Sequence, residues 1–172
     1  FRALEGAAAG ADTGYSIELP PAALPVVTWG RGTARGRLVG GNLSMLSALE
    51  GTPYAIDTRG AILLIEDVRE APYRIDRMLR QLQLAGKLAP LRGAVLGQFT
   101  LNYDREDDQK TEDPRYTVDG VLRHYFADAG IPVLSNFPIG HHELNATLPL
   151  GGMVEVDADA GVLRVLPPGA DF

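Results

Sequence analysis

The chain has 172 residues, 45% apolar and 22% charged, an ordinary balance for a folded globular protein that excludes disorder and fibrous states. A net charge of −6 with no run of basic residues argues against a nucleic-acid partner, and the short apolar runs leave no membrane span. Cysteine is absent, which removes disulfides, thiolate metal sites and a cysteine nucleophile together and is compatible with a cytoplasmic location.

Residues 1–25 are rich in Ala, Gly and Pro and read as a connecting segment into one domain spanning 26–172. Phe1 stands where a start methionine would, and no signal-peptide pattern follows, so the chain reads as a piece of a longer polypeptide. From Val26 the pattern becomes regular. Val26–Trp29 is a short strand, and Ala34–Gly41 a second one broken by its glycine pair. Asn42 suits the N-cap of a helix whose Leu43, Leu46 and Leu49 share one face and which Gly51 ends.

Ala61–Ile65 is an uninterrupted apolar, strand-compatible run that leads straight into Glu66 and Asp67. Glu66 is therefore either the first solvated residue after the strand or a carboxylate held at its C-terminal edge. On the plainer reading, Glu66–Asp67 opens a solvated loop with Arg69 or Arg74 as partner. Pro72 fits the first turn of the next helix, where Ile75, Met78, Leu79 and Leu82 recur at helical spacing until Gly86.

Gly93–Phe99 is another buried strand, and the charged stretch Thr100–Thr117 a solvated loop. Val118–Ala129 carries a helical apolar face stopped by Gly130, and Ile131–Leu134 is a short strand. Met153–Ala158 and Gly161–Leu166 read as a hairpin. Alternating strands and helices followed by antiparallel strands define an α/β domain with a mixed sheet.

Several constellations could carry chemistry. A strand-end carboxylate such as Glu66 can orient a histidine or act as a base, because the strand fixes it while the exit loop exposes it. His141, His142 and Glu143 follow Pro138 and Gly140 in a loop, whereas His124 falls mid-helix on the surface. Adjacent residues on an extended loop point apart and no zinc-type spacing is present, so a general base fits His141 or His142 better than a metal ligand. Gly40-Gly41-Asn42 reads as a tight turn plus cap in preference to a phosphate cradle. No serine is a convincing nucleophile. Ser16 lacks the strand and helix of an elbow, Ser44 and Ser47 sit in a first helical turn, and Ser135 leads into Asn136-Phe137-Pro138.

Taken together, G-x-L-x-G-G-N-L-S-x-L from Gly36 to Leu46, Gly51-Thr52, I-L-L-I-E-D-V at 62–68, P-Y-R-I-D-R-M-L at 72–79, V-L-G-Q-F at 95–99, P-I-G-H at 138–141 and T-L-P-L-G at 147–151 resemble one family. It is similar to the C-terminal domain of the LD-carboxypeptidases, serine peptidases related to the microcin self-immunity peptidases. The resemblance implies a swivelling β/β/α-type domain and a Ser-Glu-His triad split between two domains. Glu66 and His141 then fall on the catalytic glutamate and histidine, with the serine on an N-terminal domain that this chain does not contain. It also implies release of D-alanine from peptidoglycan tetrapeptides during cytoplasmic murein recycling, no metal or organic cofactor, and a homodimer.

On this alignment Asp67 has no part in the chemistry, Arg74 and Arg77 are candidates to hold the carboxylate region, and His142 and Glu143 could shape recognition. Two other readings stay open: a non-catalytic binding or dimerisation domain, and a hydrolase of microcin-type peptidyl-nucleotides. The latter needs an aromatic platform, for which Trp29 is the only tryptophan.

Overall fold

The computed structural model describes residues 14–19, 21, 23–100, 113, 116–167 and 169. Most of the connecting segment and most of the Thr100–Thr117 loop expected from sequence lie outside these residues. The described chain runs β1 (Tyr15–Ser16), β2 (Val27–Trp29), β3 (Thr33–Asn42), α1 (Leu43–Leu49), β4 (Ile62–Val68), α2 (Pro72–Leu84), β5 (Gly93–Thr100), α3 (Val118–Phe126), β6 (Val133–Ser135), β7 (Met153–Asp157) and β8 (Val162–Val165). The α/β class with a mixed sheet is as the sequence predicts.

All eight strands join in the order β1-β8-β7-β3-β4-β5-β6-β2. The long strand β3 belongs to both parts of the sheet. Its first half pairs antiparallel with β7 (Arg35 opposite Glu155), and its second half pairs parallel with β4 (Gly40 opposite Leu64). β3 thus passes unbroken through Gly40 and Gly41, which the sequence reading takes as an interruption. The pair is accommodated because both glycines keep ladder partners on β4.

Two cores lie on opposite faces. On one, Ile75, Leu79 and Leu82 of α2, Leu122 and Phe126 of α3 and Leu43 of α1 pack on Leu63, Ile65 and Leu96. On the other, Val154, Val156, Leu163 and Val165 of the β7–β8 hairpin close over Leu38, Ile62, Leu64, Val95 and Phe137. The order of layers is hairpin sheet, parallel sheet, helices, the β/β/α arrangement that the resemblance implies. The residues expected to form the apolar face of α2 are the buried ones.

Local signals behave largely as expected. Asn42 caps α1 by accepting the Met45 N–H at 3.2 Å, and Pro72 occupies the first turn of α2. Helix α3 ends at Phe126, short of the expected Ala129, and the last turn before Gly130 is not helical. Within the stretch read as connecting segment, β1 pairs with β8 and Ile17 donates to Leu163 O at 2.9 Å, so these residues belong to the sheet. No helix among the described residues is long and apolar enough to cross a membrane.

Candidate active site

Strand β4 does not stop at Ile65. It continues to Val68, and Glu66 and Asp67 are both buried, at 7% and 2% exposure. The solvated-loop reading therefore fails, because the backbone keeps its ladder partners on β3 and β5 and each carboxylate finds donors. Strand alternation separates the two. Ile62 and Leu64 face the hairpin layer and Leu63 and Ile65 face the helices, so Glu66 continues the first set and Asp67 the second.

The β4–β5 register changes at this point. Ile65 faces Leu96 but Asp67 faces Phe99, so Gly97 and Gln98 together oppose Glu66, a bulge of the kind that re-aims side chains beside functional sites. Gly97 is needed there, since a Cβ on it would lie 2.9 Å from the Cβ of Glu66 and 2.6 Å from the carbonyl of Ile139. Gln98 is also buried, and its side-chain oxygen has no partner among the described residues.

His141 reaches Glu66 because the chain after β6 continues alongside β5. Phe137 donates to Leu96 O at 3.0 Å, Gln98 donates to Ile139 O at 2.9 Å, and Gly140 bridges to Gln98. The Thr100 hydroxyl then donates to the His141 carbonyl at 3.2 Å. Gly140 makes the approach possible. Its φ is 121°, and a Cβ there would lie 2.8 Å from Glu66 Oε2. The result is a 2.8 Å contact between His141 Nδ1 and Glu66 Oε2, with the carboxylate side chain 10% exposed and the imidazole 55% exposed.

In the tautomer in which Nδ1 donates to the Glu66 carboxylate, Nε2 is an acceptor, and it has no hydrogen bond among the described residues. That is the tautomer a general base requires. Chemically, the pair can take up a proton at Nε2, hold the resulting imidazolium against Glu66, and return the proton.

Asp67 faces the other way into fixed donors. It accepts from Asn42 Nδ2 at 3.0 Å, from the Ser44 N–H at 2.9 Å, from the Ser44 hydroxyl at 2.7 Å and from the Val68 N–H at 2.8 Å. The expectation that Arg74 and Arg77 hold this region is corrected by these contacts. Arg77 is exposed on α2, Arg74 lies 3.7 Å from Glu70, and the donors on Asp67 are three from the β3–α1 junction and the N–H of Val68.

The remaining candidates are dispersed. His142 is exposed and its Nδ1 accepts from the Leu144 N–H at 3.3 Å, while Glu143 is exposed in the same loop. His124 is exposed on α3, as expected. Ser44 is bound to Asp67, Ser47 donates to Gln81 at 2.8 Å, and Ser135 is buried in β6. Trp29 packs in the helix-side core at 6% exposure beneath Arg123, so it offers no platform to a nucleobase. Among the described residues no group of three His, Asp or Glu side chains comes together as a metal-ligand set.

Sequence reasoning missed the bulge and Gln98. The only signal for either was the glycine inside the apolar run Val95–Phe99.

A mixed β/β/α sheet with an acid–imidazole pair at the ends of its parallel strands places this chain among α/β domains, with a candidate site where such folds commonly bind ligands. More narrowly, the chain belongs to the LD-carboxypeptidases, as a C-terminal domain of that family, whose family model matches residues 35–156. It is 43% identical over 153 residues to a Synechocystis protein classed with the carboxypeptidases, covering 89% of this chain and 49% of that one. To the murein tetrapeptide carboxypeptidase of Pseudomonas aeruginosa it is 32% identical over 117 residues, 67% of this chain and 36% of the relative.

Among solved structures, the muramoyltetrapeptide carboxypeptidase of Oxalobacter formigenes superposes with a TM-score of 0.66 at 35% identity, over 82% of this chain and 49% of that one. The microcin C7 self-immunity protein MccF superposes with a TM-score of 0.71 at 24% identity, over 92% of this chain and 51% of that one, a likeness of fold. The chain spans about half the length, or less, of the relatives it matches.

Proposed function

We propose that this chain is the acid–base half of a serine LD-carboxypeptidase that removes the terminal D-alanine from peptidoglycan tetrapeptides in cytoplasmic murein recycling. The observation that carries the reading is the 2.8 Å contact between Glu66 and His141, whose imidazole is 55% exposed. The names of the related carboxypeptidases supply the substrate class. A serine on an N-terminal domain of the whole protein completes the triad, and the whole protein acts as a homodimer.

In this mechanism Nε2 of His141 removes the serine proton as the oxygen attacks the carbonyl of the L-centre. Glu66 stabilises the imidazolium, which then protonates the departing amine of D-alanine. Water enters, His141 activates it in the same way, and the acyl-enzyme is hydrolysed. A purely binding or dimerising role gives no reason to bury a carboxylate and aim it at a half-exposed imidazole.

The test is release of D-alanine from an L,D-tetrapeptide by the full-length protein, alongside its Glu66→Ala and His141→Ala variants. Turnover by the parent and losses of several orders of magnitude in both variants are expected, with no release by the present chain alone. Unchanged turnover in either variant refutes the assignment.

A further inference from the structure

We propose that Arg69 receives the terminal carboxylate of the substrate, an inference that rests on the carboxypeptidase reading above. Arg69 lies three residues beyond Glu66, where β4 turns toward α2, and its φ is 60°. That left-handed conformation is costly for a residue with a long side chain, and turns usually assign it to Gly, Asn or Asp. The other described non-glycine residue with positive φ, Asn136, is of the tolerant kind, and its amide donates to Pro25 O at 3.0 Å.

No comparable local use explains Arg69. Its side chain is exposed, and among the described residues its guanidinium has no hydrogen bond or ion pair. Its backbone, by contrast, is committed. The Arg69 N–H donates to Thr100 O at 2.9 Å, and the Thr100 hydroxyl donates in turn to the His141 carbonyl at 3.2 Å. The strained arginine, the threonine and the imidazole-bearing residue therefore form one connected rim at the ends of the parallel strands.

Nearby carboxylates have other partners. Glu66 faces His141, Asp67 is surrounded by the β3–α1 donors, and Glu70 lies 3.7 Å from Arg74. An unengaged cation held in a costly backbone conformation beside a reaction centre fits the pattern of strain retained for function. A carboxypeptidase must recognise an anion at the end of its substrate, and the planar guanidinium matches a carboxylate with two parallel hydrogen bonds.

The test uses the full-length protein and two L,D-tetrapeptides, one ending in a free D-alanine carboxylate and one in the carboxamide. The parent is expected to prefer the carboxylate. Arg69→Gly is expected to lower kcat/KM for that substrate about tenfold to a hundredfold, mainly through KM, while leaving the carboxamide unaffected. Arg69→Lys should recover part of the loss. Glycine suits the backbone at this position, so the variant should melt no lower than the parent.

Discrimination retained in Arg69→Gly, or an equal loss on both substrates, overturns the assignment of Arg69 alone. A parent that discriminates between neither substrate also overturns it. A parent that turns over neither refutes the carboxypeptidase reading and this inference with it.

Discussion

The two faces of the sheet at the end of β4 hold adjacent carboxylates, almost equally buried, in opposite circumstances. On the helix face, Asp67 meets three backbone or hydroxyl donors and one amide, none of which titrates, and it ties the β3–α1 junction to the strand. On the hairpin face, the partner of Glu66 among the described residues is an imidazole that is itself more than half exposed. Burial alone would not distinguish them. On the proposed function the difference lies in the partner, fixed donors for Asp67 and an imidazole able to relay a proton for Glu66.

Isosteric amides test this contrast most sharply. Glu66→Gln in the full-length protein is expected to cut D-alanine release by about 10³- to 10⁴-fold, because the amide no longer favours the required tautomer, with little change in melting temperature. Asp67→Asn should do the reverse. Its amide turns a donor toward a site filled with donors, which should cost about 2–3 kcal/mol of stability, while folded molecules keep their turnover. Loss of turnover in Asp67→Asn without a shift in melting would erase the distinction between the two faces.

Gly140→Ala should affect both properties on the hairpin face. The new Cβ would crowd Glu66 Oε2 in a backbone region unfavourable to alanine, opening the Glu66–His141 contact. A fall of about a hundredfold in kcat/KM and of about 1–2 kcal/mol in stability is expected, from steady-state kinetics and chemical denaturation.

A smaller effect concerns the hairpin sheet away from the site. Glu155 is held between Arg35 at 2.7 Å and Arg164 at 2.9 Å, and Arg164 also reaches Asp157 at 3.1 Å. The Arg35 hydrogen bond lowers the Glu155 carboxyl below its usual range, and the Ala160 N–H and then Arg164 do the same for Asp157. Folded-state values below the unfolded ones mean that the unfolded chain takes up protons first as pH falls. This stabilisation is therefore present above the ordinary carboxylate range and is lost as pH drops through the lowered values. Glu155→Gln should flatten the acid limb of melting temperature against pH. The least effect is expected from Arg59→Ala, because its pair with Asp57 is exposed and should leave melting unchanged within error.

The elements were largely legible in the sequence because apolar periodicity, the Asn42 cap and Pro72 act locally. The end of β4 was not, since a run of apolar residues stops at Ile65 whether or not the strand does. What keeps Glu66 and Asp67 inside comes from far along the chain: His141 is 75 positions away and Ser44 is 23. Residue types alone left Glu66 between a loop and a site, and the family motifs singled out both Glu66 and His141. The arginines of α2 were plausible partners by charge, but Asp67 takes three of its four donors from α1 and its cap and the fourth from the Val68 N–H. A bulge leaves almost no trace in sequence, so Gln98 passed as one more strand residue.

His141 is anchored from both sides, more loosely after it than before. Before it, Phe137, Ile139 and Gly140 are tied to β5; after it, His142 and Glu143 are exposed, but the Gly140 N–H donates to Asn145 Oδ1 at 3.3 Å and the Ala146 N–H to Pro138 O at 2.7 Å, so the loop folds back on the segment that carries the imidazole. Such an arrangement leaves His142 and Glu143 as the exposed tip of a clasped loop. On the proposed function, substitutions at His142 and Glu143 would remodel the mouth of the site while the clasp at Asn145 and Ala146 keeps His141 in place.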